Sequence, residues 1–452
     1  MIKVLLAILT VIIGVSILCI LRWKAWFGNP DEPAYDIQHT PSRILLTMGN
    51  SDDSRFVTWQ YDSIVQPGWL DYYENGSSDT ITLETMAEKY RSRAGVSAFY
   101  SAELRSLKNN TSYSYRIRTL KDTTRFYHFS TDGNENCSFL YFGDVQDELS
   151  GGFDAILPSV MANNADADFL LFGGDLIERP MDRYWDLVFS SLDTFATCKP
   201  VLCVTGNHEY IKGVTRKLED RFGLVFAYFK KNLNEYDDAA VYTFSKGNVR
   251  FFFLDSNKDF WKLPMQRDWL KHELGKSSEK WKIVVLHHPL ISTKGRFNNL
   301  MQRFFFNDVV EDASVDLVLQ GHEHVYARFT ADTNGVGDIK SPLRLVSYTS
   351  EKSYLSKFEG EEAKWGTDDR YYHKVVACVD TLSLSPYNGN HELYDRVLIL
   401  KRGGRRKLVD EGTHIPEKIQ VPEWFRRNKR PKRVKQFEDN VRDYLNRRNP
   451  AD

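Results

Sequence analysis

Five times along this chain a short apolar run, too brief for a helix, stops abruptly and delivers side chains of the metal-ligand type. The runs are Phe139 to Phe142 before Gly143-Asp144, Phe169 to Phe172 before Gly173-Gly174-Asp175, and Val201 to Val204 before Gly206-Asn207-His208-Glu209. Two more follow, Ile283 to Leu286 before His287-His288 and Leu317 to Gln320 before Gly321-His322-Glu323-His324. Near-continuous Val, Ile, Leu and Phe of this length reads as strands buried on both faces of an α/β sheet, where ligands collect at the carboxyl ends of strands. The five tips are therefore expected to converge. One strand ending in a polar residue is an ordinary exit into solvent, but five of the chain's eleven histidines lie in three of these tips. Glycine beside the carboxylates and imidazoles lets the backbone turn sharply or approach an ion closely.

Carboxylates, imidazoles and an amide oxygen, with no thiolate, suit Mn, Fe or Zn better than soft metals. Six or seven such side chains exceed what one zinc needs. Two ions about 3.5 to 4 Å apart, sharing one carboxylate, would use them all. Two divalent cations against Asp144 and Asp175 leave an electropositive pocket, which attracts phosphate and lowers the pKa of water held there.

The rest of the chain has four textures. Residues 1–27 hold an uncharged stretch, Val4 to Leu21, between Lys3 and Arg22. As a helix it would be about 27 Å long at ~1.5 Å per residue, close to the ~30 Å hydrocarbon core of a bilayer. It reads as an uncleaved signal anchor with Trp23 and Trp26 at the interface, or else as an export signal removed on secretion; no good cleavage site follows it. Residues 28–133 contain a linker and then short, aromatic, alternating segments, with Asn75-Gly76 as one turn, the pattern of a small antiparallel β-sandwich. Residues 134–401 alternate strands and helices, with Met181 to Ala196 and Gln266 to Leu274 at helical spacing and Lys246 to Leu254 as one strand. Later strands are expected at Leu343 to Tyr348, His373 to Val379, Thr381 to Tyr387 and Arg396 to Leu400. Residues 402–452 read as a basic, solvated tail partly docked through Trp424 and Phe425, or else as a segment whose Arg426 to Arg433 contacts anionic lipid or another polyanion: from Lys401 onward 16 Lys and Arg face 8 Asp and Glu. No nucleic-acid motif accompanies that charge. Five cysteines are too few for a disulfide-built fold, and none forms a Cys-x-x-Cys pair.

The ordered set Gly143-Asp144, Gly174-Asp175, Gly206-Asn207-His208-Glu209, Val284 to His287 and Gly321-His322-Glu323-His324 resembles the calcineurin-like metallophosphoesterase superfamily. With the preceding sandwich it is most similar to the purple acid phosphatase branch, which carries a fibronectin type III-like N-terminal domain. That resemblance implies an α/β (α+β) fold: a two-sheet α/β/β/α sandwich behind a small all-β domain. It also implies that Asp144 and His324 bind a first metal, that Asp175 bridges, and that Asn207, His287 and His322 bind a second. His208 would lie over the site to stabilise the phosphoryl group or protonate the leaving oxygen, with Glu209 as a supporting side chain. His288 would touch substrate or serve structurally beside Pro289.

Two positions depart from the branch. Where its members carry tyrosine three residues after the bridging aspartate, this chain has Glu178. Where they carry glycine, and other superfamily members a ligating histidine, two residues after the first aspartate, it has Gln146. One of these is expected to complete the first metal's shell, with Gln146 favoured by its proximity to Asp144; the alternative for Glu178 is a loop carboxylate bonded to solvent or Arg179. Without a tyrosinate the protein should not be purple. The expected function is an extracytoplasmic, membrane-anchored dinuclear hydrolase of phosphate esters, in which hydroxide held by both ions (Fe, Zn or Mn) attacks phosphorus. Cleavage of the signal would make it secreted or periplasmic. A phosphodiesterase or nucleotide hydrolase on the same residues, and a catalytically weak metal-stabilised scaffold, are the alternatives. The sequence carries no signal for oligomeric state, and the loops around 147–153, 212–238 and 290–299 carry no substrate signature.

Overall fold

The computed structural model describes residues 2–49, 51–133, 135–147, 152–227, 240–312, 315–329, 336–359 and 362–448. Parts of the expected substrate loops, 148–151 and 228–238, lie outside them.

The chain opens with a helix over Ile2–Phe27. Its stretch Ile8–Phe27 has a mean hydropathy of 2.0, is not buried against the rest of the protein, and is long and apolar enough to cross a membrane. Two four-stranded antiparallel sheets follow. One orders Ser42–Met48, Arg55–Gln60, Val96–Leu104 and Met86–Arg91; the other orders Ile81–Glu84, Gly68–Glu74, Ser112–Thr119 and Tyr127–Ser130. Leu46, Val57, Trp59, Leu70, Tyr115 and Ile117 fill the space between them, and Trp59 stacks on Tyr100 with centroids 5.6 Å apart. Ile81–Glu84 and Met86–Arg91 have no counterpart in the sequence reading. Both are edge strands with mostly exposed side chains, so neither needs the alternating apolar face that betrays a strand. Gly76 takes the expected turn at φ 93°.

The larger unit stacks an eight-stranded sheet on a seven-stranded one. In the first, Val201–Cys203, Phe169–Phe172 and Cys137–Phe142 run parallel. In the second, Val249–Phe253, Trp281–Val285, Leu317–Gln320 and Leu343–Val346 do the same. Phenylalanines join the layers: Phe139 meets Phe251 edge-on at 5.3 Å and Phe169 meets Phe244 at 6.0 Å. Helices Leu263–Lys276 and Leu300–Asp312 cover the outside of the second sheet through Leu270, Leu274, Phe306 and Val310. Helices Phe153–Asn163 and Asp182–Leu192 pack through Leu157, Val160, Trp185 and Val188. The fold is the expected α/β sandwich behind an all-β domain.

Three local expectations are corrected. Lys246 to Leu254 is not one strand: the chain reverses at Gly247 (φ 54°), and Tyr242–Lys246 pairs antiparallel with Val249–Phe253. Met181 to Ala196 splits into Asp182–Leu192 and Phe195–Cys198 because Asp193 turns to φ 42°. The segment after residue 401 is docked through Phe425 as expected, but far more extensively than a solvated tail. Arg405–Asp410 pairs with Val397–Arg402, and helices Glu423–Asn428 and Pro431–Arg448 bury Phe425, Phe437 and Tyr444 against Phe358 and Trp365. The net charge belongs to the outer face of these helices, whereas the inner one is held by aromatic contacts of Phe437 and Tyr444 with Phe358, of Tyr444 with Trp365, and of Phe425 with Phe437. The cysteines are all free.

Candidate metal centre

Because the central strands run parallel, their carboxyl ends open on one side, and the predicted residues meet there. Asp144 leaves its strand fully buried; its Oδ1 lies 3.5 Å from His287 Nδ1 and its Oδ2 lies 3.4 Å from His324 Nε2. Asp175 Oδ2 lies 3.2 Å from His287 Nε2, and Asp175 Oδ1 accepts the His208 N–H at 2.8 Å. Ligand atoms of Asp175, His287 and His322 all fall within 4.8 Å of one another. Asn207 sits in a short 3-10 turn, Asn207–Glu209, beside them. Asp175, His322 and His324 adopt left-handed backbone angles of 51°, 70° and 48°, a strain that non-glycine residues keep where the site requires it.

Glu209 explains how the turn holds its shape. Its carboxylate accepts four backbone N–H groups: Asp175 at 3.0 Å, Leu176 at 2.7 Å, Ile177 at 3.2 Å and Gly206 at 2.6 Å. It thereby ties the Asp175 loop to the Asn207 loop. Two glycines make room: a Cβ on Gly206 would lie 2.1 Å from Asp175 Oδ1 and one on Gly321 would lie 2.6 Å from Asp144 Oδ1.

The imidazoles are oriented from behind. His287 Nδ1 bonds the Gly173 carbonyl at 2.9 Å and His324 Nδ1 the Lys352 carbonyl at 2.9 Å, so each presents Nε2 to the cavity, as a ligating histidine does. His208 Nδ1 donates to the Glu178 carbonyl, its ring 23% exposed in a cleft of about 640 Å³. His288 is turned away: Nδ1 meets Ser256 Oγ at 3.0 Å, and its ring packs on His322 at 4.2 Å.

The two unusual positions separate. Glu178 pairs with Lys352, a residue outside every motif. Gln146 goes into the cavity, its Nε2 3.1 Å from Asp175 Oδ2 and 3.2 Å from His324 Nε2. Tyr354 is a second unforeseen neighbour, its ring 4.5 Å from that of His324. Neither Lys352 nor Tyr354 follows an apolar run; the only sequence trace of Lys352 is that Glu178 needs a counter-charge.

The electrostatics call for a cation. Burial pushes Asp144 up to about 7, with His287 opposing and Asp175 reinforcing. Burial works against ionised Asp175 too, but His287 and His208 hold its carboxyl well below the usual range. His287 is desolvated yet raised to about 10 by Asp175 and Asp144. His208 is likewise raised, burial being outweighed by Asp175 and Glu178. Burial holds His288, His322 and His324 well below their ordinary value, which leaves His322 and His324 as the neutral, ligating form. Burial pushes Glu209 up to about 7, with Asp175 adding to it. Among the described residues, Asp144 Oδ1 and Oδ2, Asn207 Oδ1, Gln146 Oε1 and His287 Nε2 are buried without a hydrogen-bond partner. Buried polar atoms are rarely left so, and these are hard and borderline donors facing one space. The residues present fit metal ions.

Residues 137–326 match the family of calcineurin-like phosphoesterases. With this fold and this donor set, the chain is a metallophosphoesterase, a phosphoric ester hydrolase by class. Residues 41–131 match the purple acid phosphatase N-terminal domain, and purple acid phosphatases are among the chain's homologues. Probable purple acid phosphatase 20 of Arabidopsis thaliana is 25% identical over 66% of this chain and 74% of its own length. A phosphoenolpyruvate phosphatase of Allium cepa is 22% identical over 87% of each. The structure of a purple acid phosphatase from yellow lupin seeds shares the fold at a TM-score of 0.66 and 16% identity, over 81% of this chain and 75% of that one.

Proposed function

We propose that the chain hydrolyses phosphate esters at a dinuclear centre. Asp144, Gln146 and His324 would hold one ion, Asn207, His287 and His322 the other, and Asp175 both. The observation that carries this reading is the set of buried, unpartnered atoms on Asp144, Asn207, Gln146 and His287: one ion does not serve donors from so many strand ends, and unpaired they would cost the fold dearly. When bound, the metals would supply Lewis-acid polarisation of the phosphoryl group and a nucleophile competent near neutral pH. The chain's own residues do the rest. Glu209 fixes the two loops, the backbone carbonyls of Gly173 and Lys352 fix the tautomers, and His208, protonated and held through Nδ1, offers Nε2–H to the phosphoryl oxygen or the departing alkoxide. Glu178 does not serve as a ligand in this scheme, since Lys352 engages its carboxylate. His288 is a packing partner of His322.

The same reading takes the catalytic domain as 134–401, with the segment beyond it docked on that domain, and takes the Ile2–Phe27 helix as a membrane anchor that leaves the rest extracytoplasmic. Purified protein assayed on chromogenic mono- and diesters with Mn, Zn or Fe tests the chemistry. Asp175→Asn and His208→Ala are each expected to lower kcat at least about a hundredfold, with metal content reduced only in the first. Turnover that survives both would remove this site from consideration.

A further inference from the structure

The cleft containing Asn207 and His208 has a wall that the phosphoesterase fold does not supply: Lys24 from the last turn of the apolar helix, with Gly28, Asn29 and Pro30 just after it. This wall is fastened in place. Asn29 exchanges two hydrogen bonds with the Lys212 backbone, at 2.9 and 3.0 Å. Arg93 donates to the Pro30 carbonyl at 2.6 Å, and Glu32 accepts the Asp182 N–H at 2.6 Å. Lys24, Arg93, Lys212 and Arg216 put positive charge around the same cleft. Between the last two, Val214 points out with 73% of its surface exposed.

The helix sets the depth of this cleft. Its uncharged stretch ends at Leu21, and Gly28 lies seven residues on, about 10 Å along a helix rising ~1.5 Å per residue. The headgroup layer outside a ~30 Å hydrocarbon core is about 5–8 Å thick. Lys24 therefore stands among headgroups, with Trp23 and Trp26 exposed in the turn that suits an interfacial belt. A catalytic cleft walled by Lys24 lies at that level.

We propose that the substrate is the phosphomonoester headgroup of a lipid resident in the same bilayer as the helix, entering past Lys24 toward His208. This rests on the hydrolase and anchor readings above. Water adds its oxygen to phosphorus, the P–O bond to the lipid alcohol breaks, and the alkoxide takes a proton from His208. Inorganic phosphate leaves to the aqueous side while the alcohol stays in the membrane. The basic rim attracts an anionic surface, and the short tether holds the cleft at high effective concentration of such headgroups.

The test uses the full chain reconstituted in phosphatidylcholine vesicles containing phosphatidic acid, with soluble p-nitrophenyl phosphate as reference substrate. Phosphatidic acid in the protein's own vesicles is expected to be hydrolysed at least about tenfold faster than the same amount in separate vesicles. Inserting about ten Gly/Ser residues between Phe27 and Gly28 frees the cleft from the surface while the chain stays on its vesicle; it should cut that advantage several-fold and lower p-nitrophenyl phosphate turnover by a smaller factor. Lys24→Glu should lower the lipid rate by a larger factor than the p-nitrophenyl phosphate rate. Equal rates in both vesicle populations, or an advantage undiminished by the spacer, overturns the inference, as does turnover of p-nitrophenyl phosphate alone. Turnover of neither substrate overturns the hydrolase reading beneath it.

Discussion

Glu209→Ala is the sharpest test of how the site is built. The carboxylate is fully buried and accepts four backbone N–H groups from two loops. Alanine leaves all four donors without an acceptor, and each orphaned buried donor costs about 1–3 kcal/mol. Water entering the vacated space can serve some of them, so the low end is appropriate, about 4 kcal/mol in all. Against a net stability of about 5–15 kcal/mol that is a large loss. Glu209→Gln keeps one oxygen for Leu176 and Ile177 but turns an NH2 toward the Asp175 and Gly206 N–H groups, so it should lose about half as much, ~2 kcal/mol. Urea unfolding followed by tryptophan fluorescence at pH 8, above the value of about 7 to which burial pushes Glu209, reads the difference. Metal content should fall in parallel, because Asp175 and Asn207 lose their common tie. An alanine variant with the wild-type midpoint and full metal content would refute the reasoning.

Other outcomes follow from single contacts. Gly321→Ala should displace Asp144, since its Cβ would lie 2.6 Å from Oδ1; elemental analysis should find metal lost while circular dichroism keeps the wild-type spectrum. His373 is fully buried against Ser347, and burial pushes it down to about 3. The unfolded chain, titrating near 6.5, then binds the extra proton, so stability is complete above that pH and falls as pH drops; between pH 7 and 5 the wild type should lose about 2 kcal/mol that His373→Gln retains. The metal-loaded protein should show no strong visible charge-transfer band, because Glu178 replaces the tyrosine. Should a band appear, its loss in Tyr354→Phe would make Tyr354 the ligand.

The centre was legible because of a constraint on strands. A strand buried on both faces must be apolar throughout, so Phe139 to Phe142 or Leu317 to Gln320 can carry ligands only where they end, and the run itself marks the place. Where that constraint relaxes, the sequence goes quiet. Ile81–Glu84 and Met86–Arg91 lie at sheet edges and expose most of their side chains. Phe153–Asn163 carries Pro158 inside it and buries only four residues, so its periodicity is faint. The C-terminal helices were misjudged because counting charge weighs an outer face, whereas the docking stripe Val434, Phe437, Val441 and Tyr444 recurs at helical spacing on the inner one, with Phe425 beside it.

Lys352 exposes a deeper reason why part of the site was hidden. Asp144 and Asp175 were readable as ligand candidates from their own neighbours, but whether Glu178 is free to ligate depends on what stands opposite it, and that residue lies 174 positions away. Once Lys352 takes the Glu178 carboxylate, its charge is matched locally and offers nothing to a metal. In the proposed scheme the first ion would then have Asp144, Asp175, neutral His324 and the uncharged amide of Gln146, with Glu178 standing in place of the tyrosine that the resemblance would supply. One negative charge fewer weakens the hold on a trivalent ion more than on a divalent one. The residues at 146 and 178 and the placement of Lys352 would therefore act together: under the proposed scheme the first position is expected to prefer divalent ions, which elemental analysis of the metal-loaded protein checks.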